Sequence, residues 1–437
     1  MGSMAIVAIC TVVLLFLTLG TGLWIGLSLV TTGAVLMEVF RSIPTAKLLS
    51  QQIFNVVSTP ELVALPLFIL MGEILFHTRL AENLFSGLRV WINRLPGQLL
   101  HVNVLACTVF AAVSGSSAAT TATVGRITLD ELDKRGYDGN VSVGSLAGAG
   151  TLGFLIPPSL IMIVYGVIAE ESVLKLFAAG ILPGLMIAGL FMLYIAGVSL
   201  VRPKVTPKSD EKFTFSQKLR GVREFGPVTS LIVFVLGSMY GGFATPTEGA
   251  AFGVLGAVII GVCQRTLTIS NFGKAILSAT RTSSMVFLIL VGAVFFSVSL
   301  GFLGLPKFIA VQIAGLELSA FQLIVALVLF YALLGTFLDG ISSLLMTLPI
   351  TLPLVLQAGY DKIWFGVFII VTIEMAQITP PLGFNLFILK DMTKRTIGQI
   401  AMSALPFFLI LCLACLLLAA FPSIATFLPS IITTDVK

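Results

Sequence analysis

The sequence predicts an all-α polytopic membrane protein built of two inverted structural repeats, each with helical hairpins and broken helices. Three observations predict it. Of 437 residues, 57% are hydrophobic and only 10% charged, with a mean hydropathy of +1.08. A set of local motifs returns at one constant offset. The apolar segments of both halves are interrupted at corresponding points.

Composition sets the solvent. Soluble domains carry about 25% charged residues, and a chain with 10% cannot cover a water-facing surface. A span takes ~20 apolar residues, and roughly ten to twelve such segments can be counted, some too short or too broken for a simple crossing. Long apolar runs exclude an outer-membrane barrel, whose strands alternate. No basic stretch precedes the first apolar run, which therefore reads as a span rather than a cleaved signal peptide.

The repeat is read from four anchors. Gly136-Tyr137-Asp138 returns as Gly359-Tyr360-Asp361, Ile156-Pro157-Pro158 as Thr379-Pro380-Pro381, and Ile181-Leu182-Pro183 as Ala404-Leu405-Pro406. The shifts (360 − 137, 380 − 157, 406 − 183) all equal 223, and Gly33-Ala34-Val35 returns as Gly256-Ala257-Val258 at the same distance. Residues 4–201 form the first repeat and 227–429 the second. The linker, 202–226, holds seven Lys and Arg against three acids. By the positive-inside rule it is cytoplasmic. It lacks the interleaved aromatics of a nucleic-acid surface, so no nucleic-acid partner is expected.

In each half two apolar segments come first, then a helix ending in an amphipathic piece. In LAENLFSGLRVWINRLPG, Leu80, Leu84, Leu88, Trp91 and Leu95 form one stripe, as expected of a helix at the bilayer interface. PKFIAVQIAGLELSAF is its weaker counterpart. A hydroxyl-rich break follows, SGSS at 114–117 in the first half. It lines up with DGISS at 339–343 after a small indel. Then come a polar GYD turn, a helix interrupted by Pro-Pro, and a closing span.

Paired interruptions of this kind point to a secondary transporter. A broken helix frees N–H and C=O groups that hydrocarbon cannot satisfy, so it must be buried in protein or line a wet cavity. Freed carbonyls with Ser and Thr hydroxyls suit hard cations, and half-helix N-termini favour anions. Ser114, Gly115, Ser116 and Ser117 are therefore read as a site, because the partner stretch repeats the break. Thr121 and Thr123 read as close packing. Asp339 lies in an otherwise uncharged run and is either a cation ligand or proton carrier, a helix cap, or both. Glu374 is a ligand or a scaffold. Glu248, after Thr245-Pro246-Thr247, fits the first turn of a helix. His77 and His101 lie at segment ends and read as interfacial. The cysteines sit in apolar runs and read as small hydrophobes. A Walker A motif and HExxH are absent, and no histidine sits inside a span to serve a serine nucleophile. The chain is not expected to be an enzyme, and two dissimilar breaks argue against a channel.

At SGSSA (114–118), GFLIPPSLIMIVYG (153–166), GILPGL (180–185), ATPTEGAA (244–251) and ITPPLGFNLF (378–387), the chain resembles the large membrane subunit of tripartite ATP-independent periplasmic (TRAP) transporters. The resemblance covers essentially the whole chain. It implies an elevator-type transporter of the bacterial inner membrane that imports an organic acid on a sodium gradient. A periplasmic substrate-binding protein would deliver the acid, and a small four-helix membrane subunit would pack alongside. No extra helices precede Ala5, so that subunit is expected as a separate chain. Sodium would be held by Ser114, Gly115, Ser116 and Ser117 with Gly153 and Pro157, and again by Asp339, Gly340, Ser342 and Ser343 with Thr379 and Pro380. Substrate between the tips would meet Ser116, Asp339 and Ser342, with Pro158, Pro381 and Asn385 at the breaks. Asp339 and Ile341 set the second tip apart, which argues against equal cation occupancy. Sodium is the coupling ion, and no cofactor is expected. FLDGISSLLMTLPI and the run from Phe365 to Phe387 resemble members handling sugar acids such as sialic acid. The alternative is a dicarboxylate or anion symporter working without a binding protein.

Overall fold

Some glycines and prolines end helices, as at Gly115 and Gly304, while others, such as Pro183, Pro349, Pro353 and Pro406, lie inside them. The computed structural model describes residues 2–41, 44–207, 213–316, 318–336, 338–379 and 383–435. Pro380 and Pro381, two of the expected site residues, lie outside them. The first half holds α1 (Gly2–Gly20), α2 (Ile25–Phe40), α3 (Thr45–Val57), α4 (Ala64–Phe76), α5 (Leu80–Ile92), α6 (Leu100–Ser114), α7 (Ser117–Lys134), α8 (Gly139–Gly150), α9 (Leu160–Ala169) and α10 (Val173–Val201). The second half holds α11 (Phe215–Tyr240), α12 (Pro246–Cys263), α13 (Ile269–Leu303), α14 (Leu305–Ala314), α15 (Ala320–Leu334), α16 (Gly340–Gln357), α17 (Lys362–Gln377), α18 (Phe384–Met392), α19 (Ile397–Ala420) and α20 (Ser423–Asp435).

Among the described residues six helices, α10 to α13, α16 and α19, are long and apolar enough to cross a bilayer alone. The bent pair α3 and α4, 61° apart, makes a possible seventh span. Fewer full spans emerge than the ten to twelve segments counted. Six further apolar helices run to only 10–17 residues, and most of them fall short of ~30 Å of hydrocarbon at 1.5 Å per residue.

Local sequence explains the starts. Asp138 and Asp361, 223 apart, cap α8 and α17 alike: each Oδ1 accepts two backbone N–H groups, at 2.8 and 3.0 Å. Thr245 and Glu248 form a reciprocal capping box at α12, so Glu248 does sit in a first turn. Ser116 and Asp339, also 223 apart, cap α7 and α16. The second tip therefore pairs with the first at the common offset. The indel assumed for SGSS and DGISS is not needed, because the shared feature is the cap and not the serine pair.

The halves pack reciprocally. α2 lies on α13 and α12 on α4, while α8 lies on α19 and α17 on α10. Each contact joins an element of one half to the counterpart of its own neighbour in the other, which is what a two-fold relation produces. Glycines set the closest approaches. A Cβ on Gly26 would meet Leu288 O at 2.5 Å, and one on Gly144 would meet Ser403 O at 2.1 Å. Small residues let helix backbones touch in this way. Polar ties cross the halves too: Tyr165 donates to Lys362 O at 2.6 Å, and Lys362 Nζ donates to Ala169 O at 3.1 Å.

The amphipathic helix α5 rests on α11. Its apolar stripe is shorter than the sequence suggests. Leu84 and Phe85 are buried, whereas Trp91 and Leu95 are exposed, and Lys218 stands over the Trp91 ring. Helix α5 ends at Ile92, which takes Leu95 off its packed face.

Candidate functional site

Tip 1 forms where α6 stops. Gly115 takes a left-handed conformation (φ 57°), which a glycine adopts without the Cβ penalty. The next residue, Ser116, is extended and caps α7. The Ser114 hydroxyl lies 2.8 Å from that of Thr120, and Thr120 Oγ1 donates to Ser116 O at 2.8 Å. The turn is thus tied by its own hydroxyls.

The first break spans Thr151 to Ser159. A 3-10 turn, Thr151–Phe154, ends α8, and Ser159 caps α9 while donating to Phe154 O at 2.5 Å. Pro157 and Pro158 are buried between them, and their mutual peptide is cis. Tip 1 sits directly on this break. A Cβ on Gly153 would meet Ser117 N and Cα at 2.5 Å, and one on Gly115 would meet Pro158 O at 3.2 Å. The expected members of the first site, Ser114 to Ser117 with Gly153 and Pro157, are therefore one local cluster.

Glu374, from the other half, reaches into it. Its Oε1 accepts the Ser117 hydroxyl and the Phe154 N–H, the latter at 3.1 Å. Glu374 is 1% exposed, and Oε2 has no partner among the described residues.

Tip 2 closes on the same floor. Asp339 caps α16, with Oδ2 accepting the N–H groups of Ile341 and Ser342 and Oδ1 accepting the Ser342 hydroxyl. A Cβ on Gly340 would meet the Phe154 ring at 2.7 Å and Gln377 Nε2 at 2.8 Å. Ser343 is buried with its hydroxyl unpartnered among the described residues. At the second break Thr379 donates to Met375 O at 3.0 Å, and Gly383 N–H donates to Thr379 O at 3.0 Å. Asn385, in the first turn of α18, is fully buried with both amide atoms unpartnered among the described residues.

Beside tip 1 lies a cavity of about 600 Å³. Ser114 and Ser116 line it, as do Lys274 and Arg281 of α13, Glu73 of α4 and His77 just after α4. The two cations are seven residues apart, about 10 Å along one helix face. They were missed in the sequence. The signal was there, since GKAILSATR lies near the start of a 35-residue helix that is apolar or hydroxylated from Thr282 onward. The histidines part company: His77 lines the cavity, whereas His101 is buried and its Nε2 N–H donates to Pro96 O at 2.6 Å.

Comparison with known proteins gives a consistent picture. The family model described as "Tripartite ATP-independent periplasmic transporter, DctM component" matches residues 12–424. A Rhodobacter capsulatus protein named "C4-dicarboxylate TRAP transporter large permease protein DctM" is 31% identical, over 94% of this chain and 96% of its own. The Pseudomonas aeruginosa protein of the same name is 33% identical, over 92% and 94%. Among solved structures, the Alcanivorax borkumensis YdaH transporter matches with a TM-score of 0.64 at 14% identity, over 98% of this chain and 99% of that one. That last likeness is one of fold alone.

Proposed function

This chain belongs to the DctM-component family of tripartite ATP-independent periplasmic transporters, and we propose that it is the sodium-coupled membrane subunit importing an organic acid handed over by a periplasmic binding protein. Its place is the bacterial inner membrane, beside a small four-helix subunit made as a separate chain. Sodium ions order the two tips, the pocket between them takes the carboxylate, and the loaded hairpin domain moves as an elevator against α2, α4, α12 and α13. One carboxylate carried with two or more sodium ions moves net positive charge inward. The membrane potential then contributes ~2.3 kcal/mol per net charge per 100 mV.

The observation that carries this reading is the cavity joining the Ser114 and Ser116 hydroxyls to Lys274 and Arg281. Its volume suits a small organic molecule, and a few convergent polar groups are what orient one. With the 202–226 linker cytoplasmic, α11 runs outward, α12 returns, and α13 starts at the cytoplasmic face. The cations near that start then belong to the release side. A sugar acid of the sialic acid type is the cargo to test first, since it offers one carboxylate and several hydroxyls to such a lining. The second reading, a C4-dicarboxylate, is favoured by the names of the two relatives above.

The test is uptake into proteoliposomes holding this chain and the small subunit, with the binding protein outside and sodium or proton gradients imposed separately. Sodium-driven uptake of a labelled acid is expected, and Arg281→Gln should raise the apparent KM about tenfold, the worth of one charge-assisted hydrogen bond. Uptake that ignores sodium and follows protons sinks the coupling assignment. Full uptake without the binding protein favours a stand-alone symporter.

A further inference from the structure

Glu374 is a buried carboxylate with no cationic partner among the described residues. Asp138, Asp339 and Asp361 each sit at a helix N-terminus and accept two N–H groups. Glu374 instead lies in the last turn of α17, where the helix dipole disfavours an anion. No Lys, Arg or His pairs with it among the described residues, and it receives one hydroxyl and one N–H, both on Oε1. Oε2 is left bare. Oε1 is thus engaged by Ser117 and Phe154, and Oε2 is the oxygen free to meet a cation. Buried charges of this kind are paired or meet a metal ion.

We propose that Glu374 supplies the negative charge against which the coupling cation is bound at the junction of tip 1 and the first break. The assignment rests on the sodium-coupled reading above. It makes the first-half cation site a composite, with hydroxyls and backbone from Ser116, Ser117 and Gly153 and the charge from the second half. The same turn of α17 also touches tip 2, through Ile373 and Gln377 against Gly340. A cation drawn to Glu374 therefore steadies the floor on which both tips close.

The experiment is a sodium titration of the thermal midpoint of the purified complex of this chain with its small subunit. Ionic strength is held constant with choline chloride. Wild type should show saturable stabilisation. Glu374→Gln keeps the shape and loses the charge, and its apparent sodium affinity should fall at least tenfold. Glu374→Asp keeps the charge one methylene back, so it should still respond to sodium but with a changed lithium-to-sodium preference. A wild type that ignores sodium removes the coupling reading itself. A sodium-responsive wild type with an equally responsive Glu374→Gln overturns only the role of Glu374. Should Glu374→Gln fail to fold, Glu374→Asp decides: unchanged affinity together with unchanged cation preference overturns the proposal.

Discussion

Gly153 offers the sharpest single perturbation. Replacing it by alanine places a Cβ 2.5 Å from both N and Cα of Ser117 and 2.6 Å from Ser116 C. All three are backbone atoms, so no side chain can swing aside. Ordinary contact begins near 3.4 Å, and tip 1 must retreat by about 0.9 Å (3.4 − 2.5) from the first break. Oxygen–oxygen hydrogen bonds fade beyond about 3.0 Å, so the Ser117–Glu374 bond weakens or parts. A hydrogen bond to a charged group is worth about 1.5–3 kcal/mol. The apparent sodium affinity should then drop by roughly one to two powers of ten. The assay is sodium-dependent uptake in proteoliposomes, with Gly197→Ala as control. Gly197 is exposed near the C-terminal end of α10 and an added Cβ meets nothing within 4 Å. That control should transport normally and gain up to about 1 kcal/mol of helix stability. A Gly153→Ala protein with wild-type sodium affinity and uptake would refute the argument that contact between tip 1 and the break builds the site.

Two further predictions concern the frame and the second tip. A Cβ on Gly87 or Gly221 would meet the other's carbonyl oxygen at 2.7 or 2.8 Å, so Gly87→Leu should force α5 off α11. A cost of about 1–3 kcal/mol from overpacking is expected, read as a lower thermal midpoint in detergent. Asp339→Ala should lose about 1 kcal/mol of cap, while Asp339→Asn keeps an acceptor and should unfold near the wild-type temperature. If both transport with wild-type sodium dependence, Asp339 serves the helix alone.

Periodic and punctuating features were legible in the sequence. The Asp138 and Asp361 caps, the Pro-Pro interruptions and the glycine at tip 1 act on chain within a few residues, and so announce themselves locally. The cap at Asp339 was readable for the same reason, although its pairing with Ser116 was obscured by the more conspicuous serines on either side. Glu374 was visible as a carboxylate in an apolar run. Its partner Ser117 was not, because the two are 257 positions apart (374 − 117) and no period connects them. Lys274 and Arg281 were overlooked for a different reason. They lie near the start of a long helix, where charges ordinarily mark the end of a span, and only the neighbouring tip reveals that they face a cavity.

The bond between Ser117 and Glu374 also bears on how the chain is made. Synthesis proceeds at about 5–20 residues per second, so the 257 positions between them take roughly 13 to 50 s to emerge. Through that interval tip 1 and the first break stand in the bilayer, or at its edge, with the Ser117 hydroxyl and the Phe154 N–H lacking the acceptor that later claims them. The reciprocal packing adds to this exposure, since α8 cannot meet α19 until nearly the whole chain has been inserted. The first half must therefore be sheltered while the second is translated, by the insertion machinery or by staying shallow in the membrane. Its completion is a late event, set by the arrival of α17 and α19 rather than by its own helices.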